Sequence, residues 1–150
     1  GKDYELLEQK IIVGLGTDGP MSGNNLDLFR QMAVAAPLQK NLKGDRTLID
    51  SKQILSLATL RGAEAIGKGE STGSIETGKW ADLVVFDSES VRHTPLHDPY
   101  STVVYSLQAS DVKDVFVSGK QVVDNGILVN SDLKQITNKA REFISKWPSL

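Results

Sequence analysis

The sequence has 150 residues, 39% of them apolar and 24% charged, and its 17 basic and 19 acidic side chains give a net charge of −2. These values are typical of a globular domain and exclude a strongly basic nucleic-acid surface. The lack of cysteine excludes disulfides and thiolate metal sites, and no apolar run approaches the roughly 20 residues of a membrane span. Because no signal-peptide pattern opens the chain either, we expect a cytoplasmic protein with no nucleic-acid or membrane partner.

The first predicted elements lead to a single carboxylate. Residues 4–9 have the pattern of a helix end, and a chain that opens on Gly1 is expected of a segment cut from a larger protein. Residues 11–17 start with three β-branched residues without alternation, which predicts a strand covered on both faces. Asp18 follows this strand, where α/β barrels and open α/β sheets keep their catalytic groups. A loop acid that caps a nearby amide is the simpler alternative.

Three glycines in this stretch also match the dinucleotide-binding pattern, as Gly14-x-Gly16-x-x-Gly19. Two features count against that interpretation. Asp18 would lie inside the phosphate cradle, and residues 20–25 delay the next helix. A dinucleotide-binding module therefore remains an alternative function, beside a non-catalytic interaction domain.

The next predicted element is a helix over residues 25–40. Asn24 or Asn25 is expected to cap it, and its apolar residues recur at helical spacing. Pro37 removes a hydrogen bond, so we expect the helix to kink or end near residues 35–36.

A second helix is predicted over residues 51–66, capped by Asp50 or Ser51. Gly67 is expected to end it in the left-handed conformation. The Gly- and Ser-rich loop that follows is the clearest boundary in the chain, and it divides a first part, residues 1–70, from the rest.

Beyond this boundary the periodicity changes from helix to strand. Ser118-Gly119 predicts a tight hairpin, and Asp82 is expected to cap backbone amides. The predicted parts are residues 71–128 and a terminal part, residues 129–150. In the terminal part, Asp132 and Gln135 are suited to a capping box, and Trp147 is suited to anchoring the helix. The elements predicted here are strands over residues 81–87, 112–118 and 120–124 and a helix over residues 132–147.

His93 and His97 have the spacing of two zinc ligands on a helix. Pro95 lies between them and Pro99 follows, so a helix is not expected there. We therefore predict that both histidines are loop residues that hydrogen-bond to the backbone.

Three blocks of the sequence, in this order, resemble the amidohydrolase superfamily. They are GTDGPMSGNNLDLF at residues 16–29, GSIETGKWADLVVFD at residues 73–87, and DPYSTVVY with VKDVFVSGKQVV at residues 98–105 and 112–123. The resemblance is to the branch that contains cytosine-deaminase-like, chlorohydrolase-like and methylthioadenosine/S-adenosylhomocysteine deaminase enzymes. It implies an α/β fold: the C-terminal part of a metal-dependent-hydrolase (β/α)8 barrel, with its last strand and helices, part of a small β-sandwich and a C-terminal helix.

The resemblance also implies a role for Asp18. It matches the aspartate of the Thr-Asp-Gly triplet, which in this branch binds the catalytic metal, here expected to be zinc, and handles the proton of the attacking water. The histidine ligands and the glutamate proton shuttle of that branch have no match in this sequence. We therefore expect a fragment that is inactive alone.

The parent would deaminate or dechlorinate a purine-, pyrimidine- or triazine-like ring. The expected partners are that small-molecule substrate, the remainder of the barrel and another copy of the chain.

Overall fold

The computed structural model describes residues 3–146, which form a helical region followed by a small antiparallel sheet and a terminal helix. No helix in this part of the chain is both long enough and apolar enough to span a bilayer. The elements in chain order are α1 (Asp3–Glu8), α2 (Pro20–Gly23), α3 (Leu28–Lys43), α4 (Ser51–Ala58), α5 (Leu60–Ala65), β1 (Leu83–Phe86), α6 (Pro99–Ser101), which continues as a π-helix (Thr102–Ser106), β2 (Val112–Val117), β3 (Lys120–Asp124), β4 (Ile127–Leu128) and α7 (Leu133–Ser145).

The core lies between α3, α4 and the π-helix. Met32 and Ala36, one turn apart on α3, are buried against residues at the start of α4 and in the π-helix, namely Ile49, Ile54 and Val104. Burying such an aliphatic side chain stabilises a fold by about 1.5–3 kcal/mol. This cluster therefore holds the helical region together.

Residues 11–17 do not form the predicted strand. Their main chain is extended, but its only hydrogen bonds to described residues run from the Ile11 amide to the Leu6 carbonyl, 3.0 Å, and from the Leu15 amide to the Leu57 carbonyl, 2.8 Å. Ile11 and Ile12 are 46% and 51% exposed. A strand requires a ladder of bonds to a neighbour, and none of the described strands lies beside this segment.

The first long helix differs from its prediction at both ends. Asp27 caps α3 instead of Asn24 or Asn25, and its side chain accepts the Arg30 amide at 3.2 Å. The helix runs through Pro37 to Lys43, so the predicted end near residues 35–36 is wrong. Ala36 and Gln39 are buried on the face opposite the exposed Pro37, and their packing maintains the helix past the missing hydrogen bond.

The second predicted helix is split at Thr59 into α4 and α5. Asp50 caps α4 in a full capping box with Gln53, as predicted. Gly67 has the predicted left-handed conformation, with φ +71°.

The sheet is a meander in the order β1-β2-β3-β4, with each strand antiparallel to the next. The predicted hairpin between β2 and β3 is confirmed, because Ser118 and Gly119 have φ +50° and +77°. The first two predicted strands are each slightly longer than the observed ones, and β4 was not predicted.

The terminal helix α7 is capped by Asp132, which accepts the Gln135 amide at 3.0 Å. This is one half of the predicted capping box. All residues of α7 are exposed, and Trp147, the predicted anchor, lies outside the described residues.

Candidate active-site segment around Asp18

Asp18 lies at the end of the extended segment and is exposed. Its Oδ1 accepts the amide of Gly19 at 2.6 Å, and its carbonyl oxygen accepts the Thr17 hydroxyl at 3.0 Å. Its second carboxylate oxygen has no hydrogen bond to any described residue. One oxygen is therefore held by the turn, and the other is available to a ligand.

The backbone of Asp18 is left-handed, with φ +59°. This conformation costs an L-residue about 1–2 kcal/mol, and aspartate tolerates it better than most because its short side chain bonds locally. Backbone strain of this kind concentrates at functional sites, although a turn can also require it. The conformation fixes the direction in which the carboxylate leaves the chain.

The turn after Asp18 is built on close backbone contacts. Gly19 precedes the single turn of α2, and a Cβ atom placed on Gly23 would lie 2.9 Å from the Thr17 carbonyl oxygen. Only glycine allows α2 to fold back this tightly on the residue before Asp18. Asn24 then ends α2 in the left-handed conformation, with φ +58°. Asp18 therefore lies between the Thr17 carbonyl and the turn of α2 that packs against it.

Gly14 has a packing role. A Cβ atom on Gly14 would lie 2.8 Å from the Cα of Gly62, so the extended segment touches the backbone of α5. Gly16 and Gly19 have open space where a Cβ would be. The helix after Gly19 has four residues, whereas a dinucleotide-binding turn opens a full crossover helix. The geometry does not support the dinucleotide-binding interpretation.

The described residues do not complete a metal site. Nowhere within residues 3–146 do three or more His, Asp or Glu side chains come together in a group that could hold an ion. Zinc in a catalytic site takes three protein ligands and one open position. The described residues therefore do not hold a complete metal centre, and the carboxylate of Asp18 is at most one ligand of such a centre.

His93 is buried at the end of a short 3-10 turn (Val91–His93), and its side chain does not make the predicted hydrogen bond to the backbone of any described residue. Its Nε2 lies 3.4 Å from Oδ2 of Asp111, and neither ring nitrogen has a hydrogen-bond partner among the described residues. His97 is exposed. Asp111 lies 18 residues further along the chain than His93, so their contact could not be predicted from local spacing.

Asp111 belongs to the same buried cluster. It accepts the Gln108 amide at 2.9 Å and pairs with Arg92. Burial raises the pKa of Asp111, but the Gln108 amide and the Arg92 guanidinium outweigh this effect and hold the pKa below its usual range. The cluster joins the loop after β1 to the start of β2 and has a structural role.

Asp82 caps the β2–β3 hairpin, as predicted. Its carboxylate accepts the Ser118 amide and the Thr72 hydroxyl, each at 2.7 Å. These bonds lower the pKa of Asp82. Of the carboxylates described here, Asp18 alone combines a left-handed backbone, a free oxygen and a place at the end of an apolar segment.

The chain is mixed α/β, with a small antiparallel sheet, and it presents one carboxylate at the end of an extended segment. The sequence profile of the Amidohydrolase family matches residues 4–122, and the chain belongs to this family.

The 5′-deoxyadenosine deaminase of Methanopyrus kandleri is 46% identical over 145 residues, 97% of this chain and 33% of that protein. The 5-methylthioadenosine/S-adenosylhomocysteine deaminase of Thermodesulfovibrio yellowstonii is 40% identical over 136 residues, 91% of this chain and 31% of that protein. The chain thus spans about a third of the length of the relatives that it matches.

Solved structures confirm the fold. An adenosine deaminase from Xanthomonas campestris with bound zinc superposes with a TM-score of 0.93 at 35% identity, over 96% of this chain and 33% of that one. Atrazine chlorohydrolase from Arthrobacter aurescens, complexed with zinc, has a TM-score of 0.87 at 26% identity, over 95% of this chain and 32% of that one. Zinc-bound relatives support a divalent metal in the family. The resemblance inferred from the three sequence blocks is confirmed.

Proposed function

We propose that this chain forms the last βα unit and part of the β-sandwich of a metal-dependent hydrolase that cleaves a non-peptide carbon–nitrogen bond. In the intact protein, Asp18 would be one metal ligand and the acceptor of the water proton. The observation that carries this proposal is the carboxylate of Asp18, held on one side by the Gly19 amide and free on the other.

The presented carboxylate suits proton transfer. A divalent ion such as zinc, when bound, lowers the pKa of water towards about 7. The oxygen of Asp18 beside Gly19 would hold the ion, and the free oxygen would take one proton of the water as the water oxygen adds to the ring carbon. Asp18 later gives that proton to the departing amine, which leaves as ammonia, and the ring keeps the hydroxyl group. The hydrogen bond from the Gly19 amide to the other oxygen favours one orientation of the carboxylate for both transfers. The remaining ligands would come from other parts of the barrel.

Adenosine-type rings are the substrate class that we favour. The relatives that share 40–46% identity are named as deaminases of 5′-deoxyadenosine and of methylthioadenosine and S-adenosylhomocysteine. Hydrolysis of a triazine, with chloride as leaving group, is the second candidate because the chlorohydrolase shares the fold at 26% identity. Release of ammonia from adenosine analogues, compared with release of chloride from a chlorotriazine, separates the two.

We further propose that the protein is cytoplasmic, and that the apolar surface left bare in this chain packs against the rest of the barrel. Ile11 and Ile12 are about half exposed, as residues of an incomplete layer would be. Bare apolar patches rarely remain solvated. In isolation, this surface is expected to pair with a second copy.

The test is Asp18→Asn in the intact protein, with thermal stability measured on the same variant. Asparagine also tolerates the left-handed backbone and keeps the bond from Gly19, but it loses charge and basicity. General acid–base catalysis alone contributes typically 10²–10⁴-fold, so we expect kcat to fall by about three orders of magnitude while stability changes by less than about 1 kcal/mol.

Asp27→Asn is the matched control, because it makes the same chemical change at a helix cap nine residues further along the chain. Its kcat should stay within about twofold of wild type, since asparagine caps helices as well as aspartate does. If Asp18→Asn retained near-normal turnover, Asp18 would be a turn-forming residue without a catalytic role.

A further inference from the structure

The break between α4 and α5 lies at Thr59, whose backbone leaves the helical conformation, with φ −126° and ψ −99°. The Thr59 hydroxyl donates to the Leu55 carbonyl at 2.8 Å, and the Thr59 amide donates to the Ser56 carbonyl at 3.2 Å. In a regular helix the Thr59 amide would bond to Leu55 instead. A threonine hydroxyl bonded to the carbonyl four residues back often bends a helix. Thr137 makes the same bond in the unbroken helix α7, so the hydroxyl favours the break without being sufficient for it.

The two halves of this broken helix hold the segment that leads to Asp18. The Leu57 carbonyl, near the end of α4, accepts the Leu15 amide at 2.8 Å. In an unbroken helix this carbonyl would accept the amide four residues further on. Gly62 of α5 contacts the preceding residue of the segment, since a Cβ atom on Gly14 would lie 2.8 Å from the Cα of Gly62. Each half of the helix therefore holds one of two adjacent residues.

Gly62 also lies beside the carbonyl that holds Leu15. A Cβ atom on Gly62 would lie 3.0 Å from the Leu57 carbonyl oxygen, so a methyl group there would displace one of the two by a few tenths of an ångström. Gly62 is helical, with no backbone angle that requires glycine, and glycine is a poorer helix former than alanine. What this position requires is therefore space beside the Leu57 carbonyl.

We propose that Thr59 and Gly62 are positioning residues: they hold the extended segment against the broken helix and thereby set the position of the Asp18 carboxylate. This inference rests on the proposed function of Asp18. Asp18 follows Leu15 by three residues, and the turn of α2 packs against the residue just before Asp18. Because the chain is held on both sides of the carboxylate, a shift at Leu15 is transmitted to it.

A positioning role predicts a loss of turnover rather than of binding. Proton transfer requires the Asp18 oxygen within hydrogen-bond reach of the reacting water. A misplacement of about 1 Å can cost about 100-fold in rate, so a shift of a few tenths of an ångström is expected to cost about tenfold. An interaction that acts only in the transition state changes kcat and leaves KM nearly unchanged.

The experiment measures steady-state kinetics of the intact protein with 5′-deoxyadenosine, per bound zinc and below the melting temperature. For Gly62→Ala we expect kcat to fall about tenfold, with KM within about threefold of wild type. Thr59→Val keeps the shape of the side chain but removes the hydroxyl, and it should lower kcat to a similar extent. Thr59→Ser keeps the hydroxyl and should stay within about twofold of wild type.

Thr137→Val is the matched control. It removes the same hydroxyl bond, from Thr137 to the Leu133 carbonyl at 2.8 Å, in a helix that does not contact the segment of Asp18. Its kcat should stay within about twofold of wild type. If Thr59→Ser lost as much turnover as Thr59→Val, the role of the Thr59 hydroxyl would be overturned.

A double variant tests whether Gly62 acts through Asp18. Residues that act as a unit have non-additive effects, so adding Gly62→Ala to Asp18→Asn should lower the remaining rate by less than about twofold. A further tenfold loss overturns the proposal, because Gly62 would then act on another group.

The single variants separate this proposal from the proposed function. Unchanged kcat in both Gly62→Ala and Thr59→Val, with Asp18→Asn impaired, overturns the positioning role and leaves the proposed function standing. A lower melting temperature with unchanged kcat shows that the break only supports the fold, which also overturns that role. Full turnover in Asp18→Asn counts against the proposed function itself.

Discussion

The helical region and the sheet region differ in where their partners lie. In the sheet, each strand pairs with the next strand in sequence, and short hairpins join β2 to β3 and β3 to β4, although residues 87–111 separate β1 from β2. In the helical region, the buried cluster joins α3 and α4 to Val104, about 50 residues further along the chain. The strands of a hairpin therefore find their hydrogen-bond partners close by in the sequence. The extended segment before Asp18 depends instead on residues that are distant along the chain.

Residues 11–17 illustrate this dependence. Their β-branched run has the composition of a buried parallel strand. Parallel strands require a crossover of a dozen or more residues to reach their partner, and no described strand lies beside them. The segment is instead held by one bond to Leu57 and by the contact of Gly14 with Gly62.

The largest expected effect on stability comes from Gly14→Ala. Its new methyl group would lie 2.8 Å from the Cα of Gly62, and backbone cannot move aside as a flexible side chain can. Overpacking of this kind costs about 1–3 kcal/mol, and we expect the upper end in urea unfolding. Gly16→Ala is the control, because open space surrounds that position; it should change stability by less than about 1 kcal/mol. Equal effects at both positions would refute the packing role of Gly14.

Asp111→Asn should cost about 2 kcal/mol. It removes the charge that pairs with Arg92 beside the buried His93 while keeping an acceptor for the Gln108 amide. Asp124→Asn, on the exposed end of β3, is the control and should change stability by no more than about 0.5 kcal/mol. The two variants test whether the loop before β2 needs the ion pair of a buried carboxylate, whereas the hairpins rely on main-chain bonds.

The same residue predicts a pH dependence. The pKa of Asp111 is lowered in the folded protein, so its contribution to stability is fully present above its unfolded pKa of about 3.9. That contribution is lost as the pH falls through the lower, folded pKa. Wild type should therefore lose stability below about pH 4 more steeply than Asp111→Asn does. Parallel curves for the two proteins would contradict this assignment.

The smallest expected effect is at Pro37, inside α3. Proline in a helix interior costs about 3 kcal/mol relative to alanine, but it also restricts the unfolded chain. Because α3 continues through Pro37 with that residue exposed, Pro37→Ala should stabilise the protein by about 1–2 kcal/mol. Val34→Ala, at another exposed position of the same helix, should gain no more than about 0.6 kcal/mol. A loss of stability in Pro37→Ala would mean that the proline is required where it stands.

The sequence predicted those elements whose signals are local. Asp50 caps a helix and Ser118-Gly119 turns a hairpin, each through bonds or backbone angles within a few residues. Asp82 was also predicted to cap backbone amides, but its partner, the Ser118 amide, lies 36 residues further along the chain. The split at Thr59 and the burial of His93 depend on packing between distant residues, which periodicity does not encode. Asp18 was proposed from its motif, and only the structure shows that one of its oxygens has no partner among the described residues; its catalytic role stays a prediction.

Zinc content of the isolated 150-residue chain, measured after dialysis, tests most directly the claim that this chain supplies one ligand and not a metal centre. A catalytic zinc requires three protein ligands, and residues 3–146 bring together no group of three candidate side chains. We expect far less than one zinc per chain, with Asp18→Ala indistinguishable from wild type. One tightly bound zinc per chain that is lost in Asp18→Ala would contradict the account, because this sequence would then hold a complete site.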